Sequence, residues 1–424
     1  MSSDLTTEPL PSDLVVTESG LKQGEAPKLD LALQFRKLWR GDSGMVPILI
    51  GLVILVIYFA SRSSNFLTSQ NLTNLMVQAT VYMLLGMAEI WLLLLGEIDL
   101  SVGVTCALSG MVATVLTDPQ YHWSWFIALP LAVLASMAVS AIYAFFVIKV
   151  RLPSFIVTLA GFLAVQGVLV GVVNAQGTGG SISVQETVLY DLVGGNFTVL
   201  ATWLFIFVCI GILAFMMIRS NERRIRNNLV AQPRSLILIK LIGLVLVGLG
   251  LVWVFNTNRS NFLVLQGMPF AIPIDLAILA VGTFILTKMR AGRYIYAIGG
   301  NTEAARRSGI AVNRYRLFAF LATGFSVGVA GLLYASRLGG ITSGVDSNLT
   351  LLSVGAAVIG GASLFGGRGK MIHAVIGGII IATIYNGMAL LQMQAYVEYI
   401  VTAGVLLAAV TIDSLARRGS TIVK

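Results

Sequence analysis

The chain has 424 residues, 57% of them hydrophobic and 11% charged, and a formal net charge of +9. Soluble domains carry about a quarter charged residues, so a mean hydropathy of +0.87 excludes an ordinary soluble enzyme and points to a polytopic membrane protein. Two cysteines (Cys106, Cys209) and two histidines (His122, His373) stand isolated in the chain, which argues against a disulfide framework and a metal cluster.

Residues 1–45 are polar, with scattered Pro, Ser, Asp and Glu. No basic run followed by an apolar core opens the chain, so a cleaved signal peptide is not expected. Asp30 to Arg40 reads as a basic helix at the membrane surface, closed by Gly41. Twelve apolar segments follow, near 46–60, 72–95, 98–116, 125–148, 153–173, 198–218, 236–255, 270–288, 316–336, 349–365, 371–391 and 396–413. Most approach the ~20 residues that cross a bilayer. The third and tenth are short and interrupted, which predicts broken or partial spans. The expected fold is therefore an all-α, polytopic transmembrane bundle of about 10–12 spans. A tail over 1–45 precedes a membrane domain over 46–415, and a short tail over 416–424 closes the chain.

Charge placement orients the bundle. Of 28 Lys and Arg residues, 25 fall in alternate loops and the two tails; Arg62, Arg259 and Arg337 are the exceptions. By the positive-inside rule both termini are cytoplasmic, and so is the loop after Lys288. The same cations suit contact with anionic membrane lipid and argue against nucleic acid.

Ionisable groups inside apolar runs are costly unless they face protein or water. Glu89 is expected to meet a structural partner. Glu97-Ile-Asp99-Leu-Ser101-Val-Gly103 predicts a helix break: either a pathway or gate element, or a short surface turn with solvated acids. Asp275 follows Pro269 and Pro273 and is expected near a helix start. Gly167-x-x-x-Gly171 and Gly324-x-x-x-Gly328 read as packing faces. Glycine-dense Gly355 to Gly369 suits close backbone approach or a helix break. Within it Gly366-Gly-Arg-Gly-Lys-Met371 superficially looks like a phosphate loop, but Leu364 and Met371 replace the Gly and the Ser/Thr such a loop requires. Asn386-Gly387 places an amide inside the eleventh segment, to bond a neighbouring helix or line a polar path.

The segment Arg290 to Ile310 contains one short, well-capped helix. Asn301 or Thr302 supplies the cap and Glu303 the first turn. Arg306 and Arg307 lie in the last turn, and Gly309 is the stop. A stiff capped helix on a membrane loop suits docking to a partner protein; the rival reading is a solvated loop.

Taken in order, these stretches resemble the permease subunit of bacterial ABC sugar importers, the ribose/xylose/galactose class. The likeness is carried by Glu97–Gly103, Leu152–Gly161, Gly292–Ile310, Val358–Gly367 and Asn386-Gly387, within roughly residues 46–418. Leu152–Gly161 and the extra pair of spans near 198–255 look most like the xylose permease branch. The resemblance implies a bacterial inner-membrane protein that carries a monosaccharide. It also implies a second permease copy in a homodimer, an ABC ATP-binding subunit on the cytoplasmic side, and a periplasmic or lipid-anchored sugar-binding protein. ATP and magnesium would reside in the ATPase, with no cofactor on this chain, which is not itself an enzyme. Carried over by motif, Gly300, Asn301, Glu303, Ala304, Ala305, Ser308 and Gly309 would couple to the ATPase. Glu97, Asp99, Ser101 and Asn386 would lie near the pathway or gate. The rival is a proton-coupled twelve-span secondary transporter relaying through Glu89, Glu97 and Asp99.

Overall fold

The computed structural model describes residues 45–177, 179–229, 231–260, 264–344 and 348–420; the expected surface helix over 30–40 and the last four residues lie outside them. In lipid every backbone polar group needs an internal partner, so apolar runs fold as helices. All twelve apolar segments do: α1 (Met45–Arg62), α2 (Ser69–Leu93), α3 (Val102–Leu116), α4 (Trp125–Phe145), α5 (Ser154–Ala175), and, further along, α7 (Val199–Arg226), α8 (Arg234–Asn256), α9 (Ala271–Lys288), α12 (Val312–Leu338), α13 (Asn348–Ile359), α14 (Met371–Leu390) and α15 (Ala395–Ser420). Among the described residues eight helices are long and apolar enough to cross a membrane, while Pro47–Arg62, Val102–Leu116, Asn348–Ile359 and Ala395–Val405 are shorter apolar stretches. The predicted short spans are α3 and α13, of 15 and 12 residues.

Sequence periodicity did not anticipate four smaller elements. These are α6 (Thr187–Gly194), α10 (Arg290–Gly300) and a two-stranded antiparallel ribbon, β1 (Ser181–Ser183) against β2 (Gly340–Thr342). The capped helix α11 (Thr302–Arg307) was expected.

The chain divides into two compact units. In the smaller one, residues 205–250, the Asn221 side chain accepts from the Gln232 N–H (2.8 Å), and Gly248 lets Ile210 and Ile206 close onto α8. Phe207, Ile212, Phe215, Ile239, Leu246 and Val247 are exposed apolar side chains of this unit, surface that lipid can cover.

The larger unit is built around α2. Every residue from Ala79 to Leu93 is buried, so lipid does not wet this helix and it tolerates Thr80, Glu89 and an acid-bearing C-terminal break. Thr68 caps it, its Oγ1 accepting from the Asn71 N–H. Small residues set the approach of its neighbours. Gly86 faces the methyls of Ala356 and Ala374, and Gly378 abuts Met83. Gly324 and Gly328 of α12 meet Ser140 and Ser136 of α4, whose Ser136 hydroxyl donates to the Gly324 carbonyl (2.8 Å). This is the packing face expected there. Gly167 and Gly171 of α5, read as a similar face, have no atom within 4 Å of their would-be Cβ positions. That flank of α5 also carries the exposed side chains of Leu163 and Val168.

Gly331 of α12 touches the Cys106 carbonyl oxygen and Ser109 of α3. A leucine there would overpack a closed contact, with a cost of about 1–3 kcal/mol. Gly331→Leu is expected to lower the melting temperature in detergent, whereas Gly167→Leu, facing open space, leaves the monomer's melting unchanged.

Candidate functional site

Three backbone segments converge where α2, α10 and α13 end. After α2 the chain turns at Gly96 (φ 77°), with the Glu97 N–H reaching back to the Leu92 carbonyl (3.0 Å). After α13 it turns at Gly361 (φ 107°), Gly366 (φ 85°) and Gly367 (φ 72°) before α14 begins. These left-handed backbone angles favour glycine. The Gly367 N–H donates to the Leu94 carbonyl (2.9 Å), joining the two breaks directly. Gly299, at the end of α10, lies against the same Leu94 oxygen and the Gly367 nitrogen, while Gly366 sits on Gly96. No side chain fits between these three backbones. The glycine-dense run therefore both breaks a helix and allows close approach.

The first break satisfies its backbone through neighbouring hydroxyls. The Ile98 N–H donates to Ser154 Oγ (3.4 Å) and the Leu100 N–H to Thr158 Oγ1 (3.0 Å), both on α5. The Gly103 N–H donates to Thr350 Oγ1 of α13 (3.1 Å). Asp99 folds back on its own turn, its Oδ1 accepting from the Ser101 N–H (2.8 Å) and hydroxyl (2.6 Å), a carboxylate beside the start of α3. Asp99 is 2% exposed and Ser101 fully buried. The segment is thus a buried break rather than a solvated surface turn. Glu97 does not stand free: its Oε1 lies 3.0 Å from Arg316 Nη2 of α12. Fully buried Glu89 lies against Asp99, whose backbone N–H is directed at its carboxyl, although neither oxygen reaches strict hydrogen-bond geometry among the described residues. Asp275, in the second turn of α9, is buried with no hydrogen-bond partner to its carboxyl among the described residues.

The capped helix follows from its sequence. Asn301 Oδ1 accepts from the Ala304 N–H (2.9 Å), making Asn301 the cap; the Thr302 hydroxyl instead donates to Ile298 (2.9 Å). At the far end Gly309 (φ 82°) donates to the Arg306 carbonyl, and Ile310 to that of Ala305 (3.1 Å). This paired termination fixes the exit into α12. Glu303 pairs with Arg306 (3.3 Å) and Arg307 (3.2 Å) in solvent, worth at most about 1 kcal/mol each. Of the seven residues singled out here, Ala305 alone is buried; Gly300, Asn301, Glu303, Ala304, Ser308 and Gly309 face outward. Ahead of it, α10 is amphipathic, burying Gly292, Ile295 and Ile298. The Tyr296 hydroxyl donates to the Gly369 carbonyl (2.6 Å), and burial pushes its phenol pKa up. The Gly292/Ile295/Ile298 spacing was the signal that marks this helix.

Asn386 belongs elsewhere. It lies 15 residues into α14, roughly 22 Å along the helix from the glycine junction. There it exchanges two 2.9 Å hydrogen bonds with Asn71 of α2. Gly387 beside it admits the Phe59 ring of α1. The structure therefore gathers Glu97, Asp99 and Ser101 near Gly300 and holds Asn386 in a helix–helix clasp. Arg316, Ser154, Thr158, Thr350 and Asn71 complete these contacts. The sequence marked them only as isolated polar residues in or beside apolar helices.

This geometry, broken helices braced inside an all-α membrane bundle with an amphipathic and a capped helix leaning on the breaks, defines a multi-pass transport permease. Residues 71–410 match the family described as branched-chain amino acid transport system / permease component, and the chain belongs to it. It is 34% identical to the xylose transport system permease protein XylH of Haemophilus influenzae over 86% of this chain and 95% of that one. It is 30% identical to the D-allose transport system permease protein AlsC of Escherichia coli over 86% and 90%. To the ribose import permease protein RbsC of Escherichia coli it is 27% identical over 90% and 96%. No solved structure matches the chain.

Thr158→Val keeps the shape and deletes the acceptor for the half-buried Leu100 N–H. An orphaned buried donor costs about 1–3 kcal/mol. The variant is expected to melt earlier in detergent, with Thr158→Ser close to wild type.

Proposed function

We propose that this chain is the membrane permease of an ATP-driven monosaccharide importer with xylose or a similar sugar as cargo. The observation that carries the reading is the α10–α11 pair. It is a stiff, capped element whose outer face is free and whose inner face rests on both helix breaks. A partner pushing on it moves backbone rather than loose side chains. The family description names branched-chain amino acids, while the permeases similar along nearly the full chain are named for xylose, allose and ribose. Likeness to individual proteins is finer than likeness to a broad family, so the sugar reading weighs more.

In this mechanism the basic loops face the cytoplasm, as the charge asymmetry favours. An ATP-binding subunit docks on Gly300, Asn301, Glu303, Ala304, Ser308 and Gly309, with Ala305 the inward anchor of the helix. ATP and magnesium are held by that partner. A soluble or lipid-anchored binding protein supplies sugar affinity on the other side, so the permease needs no tight site, and a second permease copy completes the pathway. Glu97, Asp99 and Ser101 serve the gate through their contacts. The proton-relay alternative asks for titrating groups along a wet path; Glu97 is instead ion-paired and Asp99 internally bonded.

The test is reconstitution in proteoliposomes with an ATP-binding subunit and a sugar-binding protein, measuring D-xylose uptake and ATP hydrolysis. Ala305→Pro removes the Ala305 N–H bond to Asn301 and breaks the helix at about 3 kcal/mol. Glu303→Arg reverses the exposed charge. Both variants are expected to insert normally and to lose uptake and ATPase stimulation together. Normal uptake by both would remove the docking assignment.

A further inference from the structure

The importer reading leaves open how movement of α10–α11 reaches the spans, and Arg316 supplies a connection that the family motif does not. Arg316 lies in the second turn of α12, the helix that leaves α11 directly through the Gly309 turn. That turn is stiff, since the Gly309 and Ile310 N–H groups both return to α11 and the Val312 N–H bonds Ile310. Displacement of α11 therefore carries the first turns of α12 with it. Arg316 projects from there onto Glu97, Nη2 to Oε1 at 3.0 Å, with side chains only 26% and 11% exposed.

The other bonds named above for the break behave differently. Ser154, Thr158 and Thr350 hold it through single hydroxyl contacts from α5 and α13, helices that are not continuous with α11. The Gly96, Gly299 and Gly366 contacts transmit compression but cannot pull, and the hydrogen-bonded route from α10 is indirect, running through Tyr296 to Gly369 and Gly367 to Leu94. The Arg316–Glu97 pair is attractive, so it can draw the break after the cytoplasmic helices as well as be pushed by them. Its recorded approach is Nη2 to Oε1, and among the described residues Arg316 Nε has no hydrogen-bond partner. The guanidinium can thus swing while keeping hold of Glu97.

We propose that Arg316 is a positioning residue for transport: its ion pair with Glu97 ties the broken segment 94–101 to α11, so that the partner's power stroke opens the break. This rests on the importer reading above. Loss of the pair leaves docking intact and wastes hydrolysis.

The experiment uses the complete transporter in proteoliposomes, with D-xylose as probe, and compares wild type with Arg316→Gln, Glu97→Gln and the exchanged pair E97R/R316E. Assembly, ATP hydrolysis stimulated by loaded binding protein, and xylose moved per ATP hydrolysed are read separately. Both single variants are expected to assemble and hydrolyse ATP while xylose per ATP falls about five- to 150-fold, and the exchanged pair recovers part of that ratio. An unchanged ratio in both single variants overturns the link and leaves the importer reading standing. So does a parallel loss of assembly, hydrolysis and uptake that the exchanged pair does not restore, which marks a merely structural contact. Wild type that assembles with no ATPase and moves no xylose overturns the importer reading and the link with it.

Discussion

Buried backbone has no water to turn to, and this single constraint organises the larger unit. A helix that stops inside a bundle exposes N–H and C=O groups, each costing several kcal/mol if left bare. Between Leu95 and Gly103 the chain stops one helix and starts another. Its N–H groups find the Leu92 carbonyl, Ser154, Thr158, Asp99 and Thr350 in turn. Those partners come from α2, α5, α13 and the break itself. The break thus specifies which helices surround it, and their small residues follow. Thr350 Oγ1 reaches the Gly103 nitrogen because Gly103 has no Cβ in its way.

The same requirement explains the chemistry of the core. Lipid is as apolar as leucine, so burial alone does not select one helix neighbour over another. Close approach and hydrogen bonds do. Gly331 against the Cys106 carbonyl, Ser136 on the Gly324 carbonyl and Thr323 on the Ala88 carbonyl (3.0 Å) each join a small or hydroxylic residue to a neighbouring backbone. The reciprocal Asn71–Asn386 amide pair serves α2 and α14 in the same way near the opposite end of α2. Such bonds contribute about 0.6 kcal/mol each on average, up to about 1.7. They are modest singly and specific in combination.

Much of this was legible beforehand, for reasons that differ by feature. Long apolar runs have one solution in lipid, so all twelve helices and the shortness of α3 and α13 could be read directly. The cap of α11 was legible because capping is local: Asn301, Glu303, the two arginines and Gly309 act within one turn of themselves. Helix α10 was missed because its Gly292, Ile295 and Ile298 stripe lies among arginines and tyrosines and is defined only by what it packs on. Gly167 and Gly171 show the converse, since a glycine pair states that approach is possible and not that a neighbour comes. Pairings across hundreds of residues, Glu97 with Arg316 or Asn71 with Asn386, leave no local trace. Only the fold brings such side chains together, and it separated Asn386 from the acids with which motif likeness had grouped it.

The kinds of contact at the break also divide its work. A hydrogen bond weakens steeply once its geometry slips by a few tenths of an ångström or a few tens of degrees. Coulomb attraction falls only as the inverse of distance. Ser154, Thr158 and Thr350 therefore hold the segment in one position and release it sharply when it leaves. The Arg316–Glu97 attraction persists while the two elements shift against each other. A gate that must rest in a defined place and yet follow a moving helix needs both. The polar inventory of residues 94–105 supplies neutral bonds toward α5 and α13 and a single ion pair toward α12. The side chain that accepts the charge, Glu97, sits one residue past Gly96, the point of greatest backbone freedom, where a pull on it turns the chain with least resistance.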